Sequence, residues 1–262
     1  MIRSSETTKS QANLPPRSTD ADFAKYAREG AYHWKEASNH LRHHQAFTVE
    51  RYRRTLAAAG ELTGLRVLDY GCGDGALLGW ISKRVGDSGE AHGFDPNPDA
   101  QRLAQQLLEA RSLRASVHSA LSELSDDHFD VIISAEVMEH VDDLGAYFAD
   151  MQRLLRPDGK IVLTTPVRLS EEPLDPNHVV EWFPDEWKSV LEATPFELEH
   201  HEQFIPVAAP EVYFWRPRWL LRMPVARVLC NLVSILFGVN VLTALDLRPR
   251  LFMGQLAVLR RR

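Results

Sequence analysis

Between Val67 and Thr165, short apolar runs alternate with longer stretches whose apolar residues recur every three or four positions. Val67-Leu68-Asp69-Tyr70 has the apolar density of a buried strand, and Ala76-Leu77-Leu78-Gly79-Trp80-Ile81 opens a helix behind it. Glu90-Ala91-His92-Gly93-Phe94 predicts a second strand ending at Asp95, since Pro96 and Pro98 prevent its continuation. A helix over 100–110 follows, then a strand over 115–118. The run Phe129-Asp130-Val131-Ile132-Ile133-Ser134 is nearly continuous in apolar residues, as expected where both faces of a sheet are covered. An amphipathic helix over 147–155 stops at Pro157-Asp158-Gly159, and a fifth strand runs over 160–165 to Pro166. Strands alternating with helices predict an α/β fold with a doubly wound, mostly parallel sheet that binds ligands at the strands' C-terminal ends.

Past Pro166 the rhythm changes. Pro184-Asp185-Glu186-Trp187 opens another helix. Strands over 196–207 and 251–259 bring the sheet to seven, and the insertion 210–250 between them is too long for a simple hairpin. At the other end, 1–20 is polar, contains Pro15-Pro16 and reads as a disordered tail. Residues 21–60 are helical in pattern and rich in His, Arg and aromatics, a helical N-terminal lid ahead of the main domain over 61–262. Arg51, Arg53 and Arg54 read there as a solvated helix face, and His40, His43 and His44 lack a regular ligand spacing.

Composition narrows the function more than the fold. The formal net charge of −6 gives no overall electrostatic reason to bind nucleic acid. Two cysteines, Cys72 and Cys230, do not make a disulfide framework, and Met1 to Glu6 lack the apolar run of a secretory leader, so a cytoplasmic protein is expected.

The chemistry centres on Asp69-Tyr70-Gly71-Cys72-Gly73-Asp74-Gly75. Alternate glycines suit a sharp turn that lets a ligand approach the main chain, and the amides opening the next helix attract an anion. Asp95, about twenty residues on at the end of the next strand, is placed to accept from two ribose hydroxyls. A dinucleotide fingerprint needs Gly-x-Gly-x-x-Gly, and here the third glycine falls one position early. With Phe129-Asp130-Val131-Ile132 and Leu154-Leu155-Arg156-Pro157-Asp158-Gly159-Lys160, these motifs resemble the class I S-adenosylmethionine-dependent methyltransferases over about 65–187. The resemblance implies a Rossmann-like sheet. It also implies that Asp69 and Gly71 hold the amino-acid end of S-adenosylmethionine, that Cys72, Gly73 and Gly75 line its path, and that Asp95 and Pro96 take the ribose. Ser119 and Ala120 fall where the family often places an acidic residue for the adenine, and Ala135 closes the site from the fourth strand.

A second constellation follows that strand. In Ala135-Glu136-Val137-Met138-Glu139-His140-Val141, helical spacing would bring Glu136, Glu139 and His140 onto one face, with His178 completing the set from the loop after the fifth strand. Glu-x-x-Glu-His with a later histidine resembles two subgroups, the ubiquinone-pathway O-methyltransferases and the small-RNA 3′-terminal 2′-O-methyltransferases. Three readings stay open: a divalent site (Mg²⁺ or Mn²⁺ by its oxygens, a borderline ion by its two histidines), a metal-free polar site with His140 or His178 as base and Glu139 beside them, and a structural role.

The insertion mixes aromatics with arginines in Tyr213–Arg222, and then 228–245 runs without a formal charge, near the roughly 18 residues of a membrane span. It reads as a cap over the acceptor pocket, a peripheral membrane contact through 213–245, or a span. The expected activity is O-methylation of a small or lipid-linked hydroxylated acceptor (sugar, quinol or natural product). The rivals are an RNA ribose 2′-O-methyltransferase and an inactive cofactor-binding interaction module.

Overall fold

The apolar runs form one seven-stranded sheet in the order β3-β2-β1-β4-β5-β9-β6. Its strands are β1 (Arg66–Tyr70), β2 (Glu90–Phe94), β3 (Ser116–His118), β4 (Phe129–Ala135), β5 (Leu155–Pro166), β6 (Phe196–Pro206) and β9 (Phe252–Arg261). The computed structural model describes residues 25–171, 173, 175, 177–206, 213–214, 218–220, 223–244 and 252–262. The expected tail and part of the insertion lie outside these. All pairings from β3 to β5 are parallel, and β9 is antiparallel to both β5 and β6.

Alternation along the central strands explains why their sequences are apolar throughout. Val67, Val131, Ile133 and Val162 enter a core under α3 (Ala46–Ala59) and α4 (Ala76–Val85). Their neighbours Leu68, Ile132, Ile161 and Leu163 enter the opposite core, with Met151 of α6 (Leu144–Leu154) and Trp187 of α7 (Pro184–Glu192). Two helical layers thus cover the sheet. Asn97, with an extended backbone, caps α5 (Pro98–Glu109) by accepting from the amides of Asp99 and Ala100. One boundary differs from expectation: 156–159, expected to end a helix, belongs to the span of β5, whose first residue Leu155 pairs with Phe129.

Ahead of the sheet, α1 (Lys25–Glu29) and α2 (Tyr32–Glu36) lie against the turn after β1. Trp34 Nε1 donates to the Asp74 carbonyl at 2.6 Å, and the His33 amide donates to Asp74 Oδ2 at 2.9 Å. The three arginines of α3 do not share a solvated face. Arg51 is ion-paired with Glu136, Arg53 donates to the Gly238 carbonyl, and Arg54 pairs with Glu50 and Glu202.

The insertion forms the short hairpin β7 (Arg218–Leu220) and β8 (Met223–Pro224), then α8 (Val225–Phe237) and α9 (Val241–Ala244). Among the described residues no helix is long and apolar enough to cross a membrane. The polarity of α8 is inverted. Its polar Asn231 and Ser234 are buried, while Leu236 and Phe237 are 68% and 72% exposed. Asn231 Nδ2 donates to the carbonyls of Leu41 and His44, and the Tyr213 hydroxyl donates to Asn231 Oδ1. His44 bridges the Ser38 carbonyl and the Ser234 hydroxyl, so its role is structural.

Candidate active site

The C-terminal ends of β1, β2 and β4 open into a cavity of about 700 Å³, within the range of small-molecule sites. Asp69, Gly71, Cys72, Gly73, Asp95, Pro96 and Ala135 line it, as do Glu136, Glu139, His140 and His178. Both constellations therefore face one volume. Gly75, Ser119 and Ala120 are absent from its wall. Gly75 instead precedes α4 and packs on Ala104, where a Cβ would sit 3.0 Å from the Ala104 Cβ. Ser119 and Ala120 turn their amides, and Ser119 its hydroxyl, onto Glu123 Oε1.

The glycine turn is gripped by the end of β2. The Phe94 carbonyl accepts from the amides of Gly71 and Cys72, and Asp95 Oδ2 accepts from the Gly73 amide at 2.8 Å. Asp95 Oδ1 accepts from the Asn97 amide. The opening amide of α4 faces Asp74, whose Oδ1 accepts from Ala76 at 3.3 Å. A Cβ at Gly71 would overlap Val137, and one at Gly73 would overlap the Tyr26 hydroxyl. With φ of +55°, Gly73 also has a backbone that L side chains adopt at a strain. Gly73→Ala is therefore expected to destabilise the protein by about 1–3 kcal/mol. In denaturant unfolding, part of that loss should return in the double variant with Tyr26→Phe, because the overlapping hydroxyl is gone.

Asp69 is the most unusual group in the cavity. Burial, then the charges of Asp95 and Asp74, push its carboxyl up to about 8, against a single opposing hydrogen bond from the Leu78 backbone. Its Oδ2 is buried without a hydrogen-bond partner. An orphaned buried carboxylate oxygen is a standing cost that a bound cation or ammonium removes. Burial likewise pushes the Cys72 thiol up, so it stays protonated.

On the acceptor side, 138–140 is a single 3₁₀ turn. Helical spacing does not bring Glu136 onto it, because Glu136 has φ of +58° and pairs with Arg51 Nη1 at 3.2 Å. Glu139, His140 and His178 do converge, with one ligand atom from each lying within 4.8 Å of the others. Glu139 is fully buried. Its Oε2 accepts from the Thr165 hydroxyl, its Oε1 has no hydrogen-bond partner, and burial followed by Glu136 raises its pKa well above the ordinary value. The Glu139 carbonyl accepts from the amides of Val179 and Val180, which zips the His178 loop onto the turn. His140 Nδ1 donates to the Asn177 carbonyl, and burial lowers this imidazole's pKa, keeping it neutral. His178 Nδ1 lies 2.6 Å from Glu181 Oε1 of a buried carboxylate. Such a pairing fixes the ring and leaves Nε2 for a ligand or a proton.

Several cavity residues escape a reading of the two motifs. Tyr26, His33, Glu36 and Arg51 come from the N-terminal helices, and Arg51 Nε is buried without a hydrogen-bond partner. No residue of the insertion among those described lines the cavity, so α8 does not cap it. The inverted polarity of α8 is the reason, since its polar face is committed to α3 and the His44 loop.

Comparison with known proteins agrees with this geometry. The family model described as "Methyltransferase domain" matches residues 26–218. A ubiquinone biosynthesis O-methyltransferase of Rhodopseudomonas palustris (strain TIE-1) is 29% identical over 160 residues, 58% of this chain and 61% of that relative. This is somewhat under two thirds of the relative's length. The enzyme of the same name from strain BisA53 is 27% identical over 210 residues, 73% of this chain and 81% of that one. Among solved structures, an S-adenosylmethionine-dependent methyltransferase from Aquifex aeolicus superposes with a TM-score of 0.52 at 20% identity, covering 58% of this chain and 82% of that one. At that identity the likeness speaks to the fold.

Proposed function

The chain belongs to the S-adenosylmethionine-dependent methyltransferases, and we propose that it methylates a hydroxyl oxygen on a lipid-linked aromatic acceptor of the quinol type. The observation that carries this reading is one cavity walled by the orphaned carboxylate of Asp69 and by His178, which Glu181 backs from outside the wall. The residues around Asp69 fit the cofactor. The carboxylate would take its ammonium group, Arg51 its carboxylate, and Asp95 the ribose hydroxyls, while Gly71 and Gly73 allow close approach. The bound cofactor supplies a methyl already activated on a sulfonium, so the chain's own work is alignment, exclusion of water and removal of the acceptor's proton.

His178 is the group placed for that proton. Its Nδ1 proton is held by Glu181, so Nε2 is the acceptor, and the Glu181 carboxylate stabilises the charge that develops on the ring. Glu139, His140 and His178 also fit a divalent cation, because a carboxylate and two imidazoles each bring a ligand atom within 4.8 Å of the others and Glu139 Oε1 has no hydrogen-bond partner. Such an ion would lower the acceptor hydroxyl's pKa.

The apolar face of α8 supports a lipid-linked acceptor. Leu229, Leu232, Leu236 and Phe237 are exposed, and Arg216, Arg218, Arg222 and Arg227 occur in 212–245 without one acidic residue. That combination suits the surface of an anionic bilayer. RNA is disfavoured by Asp142, Asp143, Asp150 and Asp175, which line the cavity and would repel phosphates.

Labelled methyl transfer to a catechol, presented once on a long isoprenoid tail in anionic vesicles and once as a soluble fragment, tests the reading. Both should be methylated on oxygen, and Leu236→Asp with Phe237→Asp should slow only the vesicle-borne acceptor, by about tenfold. Chelation followed by Mg²⁺ or Mn²⁺ should switch transfer off and on. Full activity in chelator leaves His178 as sole activator, and methylation of neither catechol overturns the acceptor class.

A further inference from the structure

From Glu90, which opens β2, through His92 and His118, which closes β3, to Glu123, four histidine and glutamate side chains outside the cavity wall form a chain of contacts. Glu90 Oε2 lies 3.2 Å from His92 Nε2. His92 Nδ1 lies 3.0 Å from His118 Nε2, and His118 Nδ1 lies 3.3 Å from Glu123 Oε2. Each of these three contacts joins two atoms that need a proton or a cation between them. A carboxylate supplies none and an imidazole in its neutral form supplies one, so two neutral imidazoles would leave one contact open to a cationic centre.

His128 shows where that centre belongs. Its Nε2 lies 3.6 Å from the same Glu90 Oε2 that faces His92, while Arg66 occupies the other Glu90 oxygen at 3.3 Å. If His92 donates from Nδ1 to His118, and His118 from Nδ1 to Glu123, both hydrogen bonds are made. Lone pairs of His92 Nε2 and Glu90 Oε2 are then left pointing at each other, beside His128 Nε2. One ligand atom from each of Glu90, His92 and His128 lies within 4.8 Å of the others. A tetrahedral zinc ion with bonds of about 2.0–2.1 Å has ligand–ligand edges of about 3.3 Å, close to the 3.2 and 3.6 Å found here.

We propose that Glu90, His92 and His128 form a second metal site, for Zn²⁺ or a similarly borderline divalent ion, with His118 and Glu123 orienting His92 from behind. Two imidazoles and a carboxylate are a zinc donor set, and a ligating histidine that gives its other N–H to a partner is the usual arrangement around such ions. Glu90 is half exposed and both histidines reach the surface, so an ion has a way in. The site ties β2 to the residue just before β4, across β1. None of its residues lines the cavity, so its role is to hold the base of the sheet and not to take part in methyl transfer.

Zinc titration of the full chain by calorimetry, with thermal melts alongside, tests this. The wild type should bind one ion here and melt about 5 °C higher at a hundredfold excess of zinc over its Kd. Glu90→Gln and His128→Ala should each lose one zinc equivalent and the upshift, and His118→Ala should weaken that equivalent by about 10–100-fold. All three should transfer methyl at the wild-type rate. His178→Ala should keep this equivalent, which separates it from an ion near Glu139. Unchanged zinc stoichiometry and affinity in both Glu90→Gln and His128→Ala would overturn the proposal and make the missing centre a proton on the His92–His118 pair.

Discussion

Replacing Asp69 with Asn is expected to weaken S-adenosylmethionine binding by about a hundredfold and, at pH 8, to make the ligand-free protein more stable. The first effect follows from removing a charge-assisted contact to the cofactor's ammonium group, worth about 2–3 kcal/mol. The second follows from the raised pKa. The carboxyl ionises from an ordinary value of 3.8 in the unfolded chain but only near 8 in the folded one. Folding therefore takes up a proton between those values. The stability tied to Asp69 is complete below about pH 4 and is lost as pH rises through 8. Asparagine fills the same space without that loss, so its melting temperature should fall less between pH 5 and pH 8. Calorimetric titration with cofactor and paired melts at the two pH values check both halves. The linkage also gives binding a signature: at pH 7 the wild type should release a proton on taking up cofactor, and Asp69→Asn should not. The site is thus built at the expense of stability, and ligand restores it.

Removing His178 should have the other large effect, and on a different quantity. His178→Ala is expected to lower kcat by about 10²–10⁴-fold while leaving cofactor affinity within a factor of two. Glu181→Gln keeps the bulk of the pair but removes the charge that stabilises an imidazolium, so a smaller loss is expected, together with a pH–rate profile displaced to lower pH. A histidine that served only to hold the loop would not move that profile. Steady-state kinetics across pH 6 to 9 distinguishes the roles, with His178→Gln controlling for loop structure.

The parts of the site that were legible in the sequence are those whose contacts are local. Asp69 and the glycines follow one strand and open one helix, and Asp95 ends the adjacent strand, so periodicity and turn chemistry locate them. Of the second constellation, Glu139, His140 and His178 converge in the structure. Its geometry was not legible, because a positive φ at Glu136 ends the strand in a turn and swings that carboxylate to Arg51, 85 positions earlier in the chain. The clamp of α1 and α2 on the glycine turn depends on Tyr26, His33 and Trp34 reaching across about forty residues. No spacing rule carries that information. Helix α8 misleads for a similar reason. Its polar residues look solvent-facing until Leu41 and His44, nearly two hundred residues away in sequence, supply the carbonyls that bury Asn231. Conversely, Glu181 lies three residues after His178 and was visible all along as a spacing, but its pairing needs the loop to be held by the Glu139 carbonyl.

One measurement bears most directly on the claim that donor and acceptor meet between Asp69 and His178. It is a single turnover of methyl-labelled cofactor, bound beforehand to the protein and mixed with excess catechol, in the wild type and in His178→Ala. The expected result is label on a catechol oxygen in both, at least a hundredfold slower in the variant, with equal amounts of cofactor bound at the start. Equal rates in the two proteins, or label on any atom other than oxygen, would contradict it.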